Sequence, residues 1–230
     1  MLPWLQTSTP SDTISVMRDT SLAKLVRDDV MARILRGELT PGQRINEPDV
    51  SSRLQVSRVP VREALRELES SGLVVSRKHA GVFVRQLTAR EVADLYEMRA
   101  VLDSFAGAKA AGLPEAPRAR LSAQLQHSID RMNRHAEARD VQSYYGENLQ
   151  FHWHIVEAAD NHHLTETYRD IVQKLHLMRL HNLSQDYGMR TSIAEHVEIA
   201  AALAAGDVAA TQALLGHHVN DAYRRLNEQH

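Results

Sequence analysis

Residues 56–74 read VSRVPVREALRELESSGLV. Ser57 is a good N-cap, Pro60 falls in a first turn where its missing N–H costs nothing, and Val61, Leu65 and Leu68 recur on one face. Ser71-Gly72 marks a stop, so the stretch predicts a helix over 58–71. Its other face is cationic: Arg58 and Arg62 are four residues apart, and Arg66 follows one turn later. Taken alone, three arginines among Glu63, Glu67 and Glu69 describe a solvated helix face as readily as one that grips a polyanion. The neighbouring elements decide between the two.

Upstream, Leu22, Leu25, Val26, Val30, Ile34 and Leu35 form the apolar stripe of a helix about four turns long that ends at Gly37. Leu39-Thr40-Pro41-Gly42 is a turn, Val50 and Leu54 predict a shorter helix over 47–54, and Gln55-Val56 serves as a tight turn. Downstream, Leu73-Val74-Val75 and Val82-Phe83-Val84 are β-branched runs either side of a basic hairpin tip. Three helices and a two-stranded ribbon, with the third helix cationic at its start, make the winged helix-turn-helix plan.

A recognition helix presents its first turns to the major groove. Ser57, Arg58, Arg62 and Arg66 are therefore candidate DNA contacts, since a guanidinium forks onto guanine O6 and N7 or clamps a phosphate. Lys78 and His79 at the hairpin tip are candidates for the backbone or the minor groove, and Arg44 and Arg53 for phosphates. The partner so implied is double-stranded operator DNA, a short palindrome bound by a homodimer.

Composition agrees with a polyanion-binding front end. The 230 residues carry net charge −2, but residues 1–87 carry +3 and residues 88–230 carry −5. There is no cysteine, which removes disulfide frameworks, thiolate metal sites and Cys nucleophiles. No secretory signal and no run of about 18 apolar residues is present, so the expectation is a cytoplasmic protein with no membrane partner. Residues 1–19, rich in Thr, Ser and Pro, read as a mobile leader, 20–87 as the DNA-binding domain and 88–230 as an all-helical domain.

In that second domain, Thr88-Ala89-Arg90-Glu91 is a capping box. Helices are expected near 89–111, 117–138, 140–160, 162–183, 191–205 and 208–227, making the chain mainly α. On the first of them Val92, Leu95, Met98, Leu102 and Phe105 read as an apolar stripe. Arg99 lies near it, placed either to grip a carboxylate effector or to pair with Glu97 or Asp103. Eleven of the 13 histidines lie between His127 and His218. Asn148 and His152 are four residues apart on one helix, and a helical hairpin through Gly206-Asp207 brings His196 and His218 to similar heights. Three imidazoles and an amide oxygen suit a divalent transition metal, whether zinc, nickel or another ion.

The motifs GELTPG (37–42), VSRVPVREALRELESSGLV and AGVFV (80–84) resemble the DNA-binding domain of GntR-type regulators. NLQFHWHIVEAADNHHL (148–164), Glu195-His196 and AALAAGDVAATQALLGHH (201–218) resemble the FCD domain of the FadR subfamily, a ligand-sensing helical bundle. The resemblance implies that Arg58 and Arg62 make the principal DNA contacts and that the tip at Lys78 and His79 enters the minor groove. Pro48 stands where some members carry a DNA-contacting arginine. Metal-binding members use an aspartate and three histidines; here Asn148 takes the aspartate's place and His152, His196 and His218 match the histidines. The expected function is a ligand-responsive transcriptional regulator, in the commoner case a repressor, with an organic-acid effector. A metal sensor is one alternative. A metalloenzyme is another, though no HExxH motif supports it.

Overall fold

The computed structural model describes residues 21–179 and 188–227, which form two compact units. One comprises residues 21–88 with 173–179, the other Ala89–Val172 with 188–227. The expected leader and the last residues of the helix expected over 162–183 lie outside the described residues.

In the first unit Ser21 caps helix α1 (Leu22–Leu35), its hydroxyl accepting from the Lys24 amide. Two-residue strand β1 (Arg44–Ile45) follows, then α2 (Glu47–Leu54), α3 (Arg58–Ser70), β2 (Val74–Arg77) and β3 (Gly81–Val84). Gln55 makes the turn between α2 and α3 by adopting φ +55°, and its side-chain amide donates to the Ser52 carbonyl at 2.7 Å, which helps hold that left-handed backbone. Ser57 holds the N-cap position of α3 with extended backbone, but its hydroxyl makes no capping bond. The sheet runs β1-β3-β2, antiparallel throughout, with Val74 opposite Val84 and Ile45 opposite Val82. β1 is absent from the sequence reading because two residues are too few for alternation to register. Val30, Ile34, Val61, Leu65, Leu68, Leu73 and Val84 form the core of this unit, and Leu177 is buried with them.

The second unit is helical: α4 (Ala89–Ala111), α5 (Glu115–Glu137), α6 (Val141–Ala158), α7 (His162–Arg179, of which residues 173–179 belong to the first unit), α8 (Met189–Ala205) and α9 (Val208–Asn227). α4 lies along α9, and α5 packs on α6 and α8. Phe151, Trp153, Ile155, Leu125, Ile129, Met132 and Leu215 fill the interior. No helix among the described residues is long and apolar enough to cross a membrane.

One expectation about α4 is corrected. Val92 is buried, but Met98 and Phe105 are 49% and 47% exposed, and Val101 beside them is 62% exposed. The inward face is instead Tyr96, Arg99, Ala100, Asp103, Ala106, Gly107 and Ala110. The reason is the close approach of α9. A Cβ on Gly107 would stand 2.2 Å from Leu215 Cδ1, and one on Gly216 would stand 2.8 Å from Ser104 Oγ. Bulky residues fit only on the far side. Gly107→Val is therefore expected to destabilise the protein by about 1–3 kcal/mol, the usual cost of overpacking, despite the better helix propensity of valine. Urea denaturation of the two proteins measures this.

Candidate functional site

The N-terminal half of α3 places its cations in solvent. Arg58, Arg62 and Arg66 are all exposed, as is Val59 between the first two, at 63%. They project outward because Val61, Ala64, Leu65 and Leu68 hold the opposite face in the core. Arg62 is held in place: its Nε–H donates to Glu47 Oε2, at the start of α2, at 2.8 Å. Glu47, Arg62, Arg66, Glu69 and Ser76 line a shallow groove between α3 and the hairpin. Lys78 and His79 are exposed at the hairpin tip, where His79 adopts φ +60°. Gly81, at φ +101°, lies so near Arg44 that a Cβ there would approach its Nε to 3.1 Å. Arg53 stands apart from this group, since both its Nη atoms are engaged by the Asp29 carboxylate on α1.

In the helical unit three imidazoles converge. His152 on α6 is fully buried, His196 on α8 likewise, and His218 on α9 nearly so. His152 Nε2 is 3.2 Å from His218 Nε2 and 3.4 Å from His196 Nε2. Among the described residues this is the group of three or more His or carboxylate side chains spaced to share an ion. Asn148 joins them, its amide 3.4 Å from His196 Nε2. Half a turn about its last bond exchanges the amide nitrogen there for Oδ1.

Carboxylates fix two of the rings from behind. His152 Nδ1–H donates to Asp103 Oδ1 at 2.8 Å, and His218 Nδ1–H donates to Glu195 Oε2 at 2.6 Å. With Nδ1–H turned to its carboxylate, each ring presents Nε2 to the cluster. Burial pushes His152 down to about 4, against the pull of Asp103, and sends His196 well below its ordinary value, helped by the neighbouring histidines. Both rings are neutral at pH 7. His196 Nδ1 is buried without a formed hydrogen bond, although the Ser192 carbonyl one turn earlier favours a proton on that ring.

Each carboxylate has its own cation. Asp103 is completely buried and accepts from Arg99 Nε at 3.2 Å and from the Tyr168 hydroxyl at 3.3 Å. Burial alone would raise Asp103; His152 and Arg99 outweigh it and hold the carboxyl below its usual range. Glu195 is clamped by both Nη atoms of Arg225, at 2.6 and 2.9 Å, and sits at about 2, with His218 and Arg225 overcoming the effect of burial. Arg99 is thus the partner of Asp103, one of the pairings its position allowed.

The sequence pattern of bacterial regulatory proteins of the gntR family matches residues 22–84, and that of the FCD domain matches residues 94–221. The chain belongs to the GntR family, in its FCD branch. It is a DNA-binding transcriptional regulator. A probable D-xylose utilization operon transcriptional repressor of Paenarthrobacter nicotinovorans is 30% identical over 87% of this chain and 86% of its own. The Nta operon transcriptional regulator of Aminobacter aminovorans is 32% identical over 60% of this chain and 64% of its own. A crystal structure of a GntR regulator from Rhodococcus sp. RHA1 covers 92% of this chain and all of its own, at 26% identity and a TM-score of 0.75.

In this GntR regulator the ring-fixing groups are the part that sequence reasoning missed. Asp103 entered only as a partner for Arg99, and Glu195 only as the neighbour of His196, whereas it binds His218, 23 residues away. Tyr168 and Arg225 carried no signal at all. The Arg99-Asp103 spacing was the one available clue, because an i, i+4 ion pair on the inward side of a helix requires a further buried partner. Asp103→Ala should leave Arg99 buried and uncompensated, lowering stability by about 3–5 kcal/mol. Denaturant unfolding is the measurement, and Asp103→Asn, which keeps an acceptor, should lose less.

Proposed function

We propose that this GntR regulator is a repressor that binds a short palindromic operator as a homodimer and responds to a small carboxylate. In this reading a divalent transition metal, zinc first among the candidates, is held by His152, His196 and His218 with Asn148 Oδ1 or water. The observation that carries the reading is the approach of His152 Nε2 to the Nε2 atoms of His218 and His196, at 3.2 and 3.4 Å, with all three ligand nitrogens within 4.8 Å of one another. Carboxylates fix the proton on Nδ1 of His152 and His218, so the two Nε2 atoms face each other across 3.2 Å. Such an approach calls for something shared between the two nitrogens, either a proton on one Nε2 or a metal ion between them. The distances also suit nitrogens at the corners of a tetrahedron with bonds of about 2.0–2.1 Å, whose edges are about 3.3–3.4 Å.

Charge balance points to the effector class. Asn148 carries no charge, burial keeps His152 and His196 neutral, Asp103 is matched by Arg99, and Glu195 is matched by Arg225. A bound divalent ion would supply positive charge that no surrounding carboxylate offsets, which favours an anionic ligand. Arg99 adds to the positive potential felt at His152 and His196. The repressor assignment is supported by the name of the D-xylose operon relative.

For DNA, the exposed start of α3 supports Ser57, Arg58, Arg62 and Arg66 as contacts, with Val59 suited to a thymine methyl. Lys78, His79 and Arg44 flank them from the wing. Arg53 would have to exchange Asp29 for a phosphate, so it contributes least of the set.

Two experiments test the halves separately. Arg58→Ala and Arg62→Ala should each cost about 1–3 kcal/mol of operator affinity, and Lys78→Ala should lower the salt dependence by about one ion without altering base preference. Unchanged operator binding in both folded arginine variants overturns the DNA assignment. In metal analysis and thermal melting, zinc should raise the melting temperature of the wild-type protein and not that of His196→Ala. Asn148→Asp should tighten metal binding and weaken the added shift produced by small carboxylic acids. Wild-type zinc affinity in His196→Ala overturns the metal centre.

A further inference from the structure

Arg62 differs from the other cations on the outward face of α3 in having a carboxylate beside it. Its Nε–H donates to Glu47 Oε2 at 2.8 Å, while its side chain stays 59% exposed. Arg58 and Arg66 are exposed as well and form no ion pair among the described residues. Glu47 is the first residue of α2. Stability does not explain its presence there. Val50 of α2 is buried in one core with Val61 and Leu65 of α3, which holds the two helices together, and an ion pair this exposed adds little. Its charge also works against DNA. Glu47 and Asp49 stand in the first turn of α2, where bare helix N–H groups would draw a phosphate, and Glu47 shares the groove beside α3 with Glu69. Glu69 has other work in that groove: its two oxygens accept from the Ser76 amide and hydroxyl, both at 2.8 Å, and fasten the hairpin. Glu47 has one partner among the described residues, and that partner is Arg62.

We propose that Glu47 is a positioning residue for base reading: it aims Arg62 at a guanine and withholds it from phosphates. The proposal rests on the assignment of α3 as the DNA-reading helix and adds how one of its arginines discriminates between sequences. A guanidinium offers two edges with paired donors, Nε with one Nη, and the two Nη groups together. Glu47 occupies the first. The edge that remains carries two N–H groups in one plane, the pattern that guanine O6 and N7 accept. Charge acts in the same direction. A lone arginine is attracted by every phosphate whatever the sequence, whereas one already paired with a carboxylate gains less from a phosphate and keeps its two hydrogen bonds for a base. Glu47 therefore lowers binding to DNA at large more than binding to the right sequence.

The test measures binding over a salt series with two probes: a duplex enriched by the wild-type protein from a random-sequence pool, and a shuffled duplex of the same composition. Glu47→Ala should bind the shuffled duplex more tightly, steepen the salt dependence by about one ion, and lower the ratio of the two affinities about tenfold. Its melting temperature should stay close to that of the wild type. Glu47→Gln keeps an oxygen for the Arg62 Nε–H but removes the charge, so the salt dependence should steepen as much while the ratio stays within about threefold of wild type. With Arg62→Ala already in place, Glu47→Ala should no longer change the ratio, because nothing is left to aim. A wild-type ratio in Glu47→Ala, or a loss that persists in the Arg62→Ala background, overturns the proposal. Should Glu47→Ala fail to fold, Glu47→Gln decides alone, and an unchanged salt dependence or a ratio lowered about tenfold overturns it. Wild-type binding of both probes by Arg58→Ala and by Arg62→Ala overturns the DNA face of α3 itself, which is a different failure.

Discussion

The helical unit is organised around one buried negative charge. Asp103 has no contact with solvent, and an ionised carboxylate in that position is tolerable only with several donors and a cation around it. Arg99 on α4, His152 on α6 and Tyr168 on α7 supply them, so three helices are tied at one point. That requirement orients His152, because only the Nδ1–H tautomer can satisfy Asp103. The direction of the His152 lone pair, and with it the character of the whole cluster, follows from the needs of a residue that never touches the centre. Glu195 repeats the device at His218, with Arg225 as its cation.

In the DNA-binding unit the same kind of pairing sorts one arginine from another. Arg53 is neutralised by Asp29, and Arg27 is shared between Asp28 and Glu67. Both tie helices together. Arg62 is different, because a single acceptor holds one edge of its guanidinium while the group stays more than half exposed. A cation steadied in this way loses less freedom on meeting a rigid ligand than one that is wholly mobile. Charge counts along the sequence cannot make that distinction, since Asp29 and Arg53 are 24 residues apart and meet only when α1 and α2 both pack on α3.

Much of the architecture was legible because it depends on local signals. The run Val61, Leu65, Leu68 fixed the inward face of α3, the glycines marked helix ends, and the Asn148-His152 spacing put two polar groups on one face. The convergence of His152, His196 and His218 could be anticipated from helix rise and a hairpin. The apolar stripe on α4 could not be placed, because Val92, Met98 and Phe105 have helical spacing whichever way the helix is turned. What turns it is the pair of glycines against α9, and a close approach between helices separated by about a hundred residues leaves no periodic trace. Strand β1 escaped for a simpler reason, being two residues long and held by β3 alone.

The glycine contact between α4 and α9 also shapes how such a protein can diversify. Where an added Cβ would meet Leu215 or Ser104 at under 3 Å, a larger residue is a collision unless those side chains move, so this seam tolerates little change. Side chains of α6 and α8 that look toward the histidines face no such barrier. Substitutions that reshape the space around the histidines are therefore more easily accepted on those two helices than along the α4 and α9 seam.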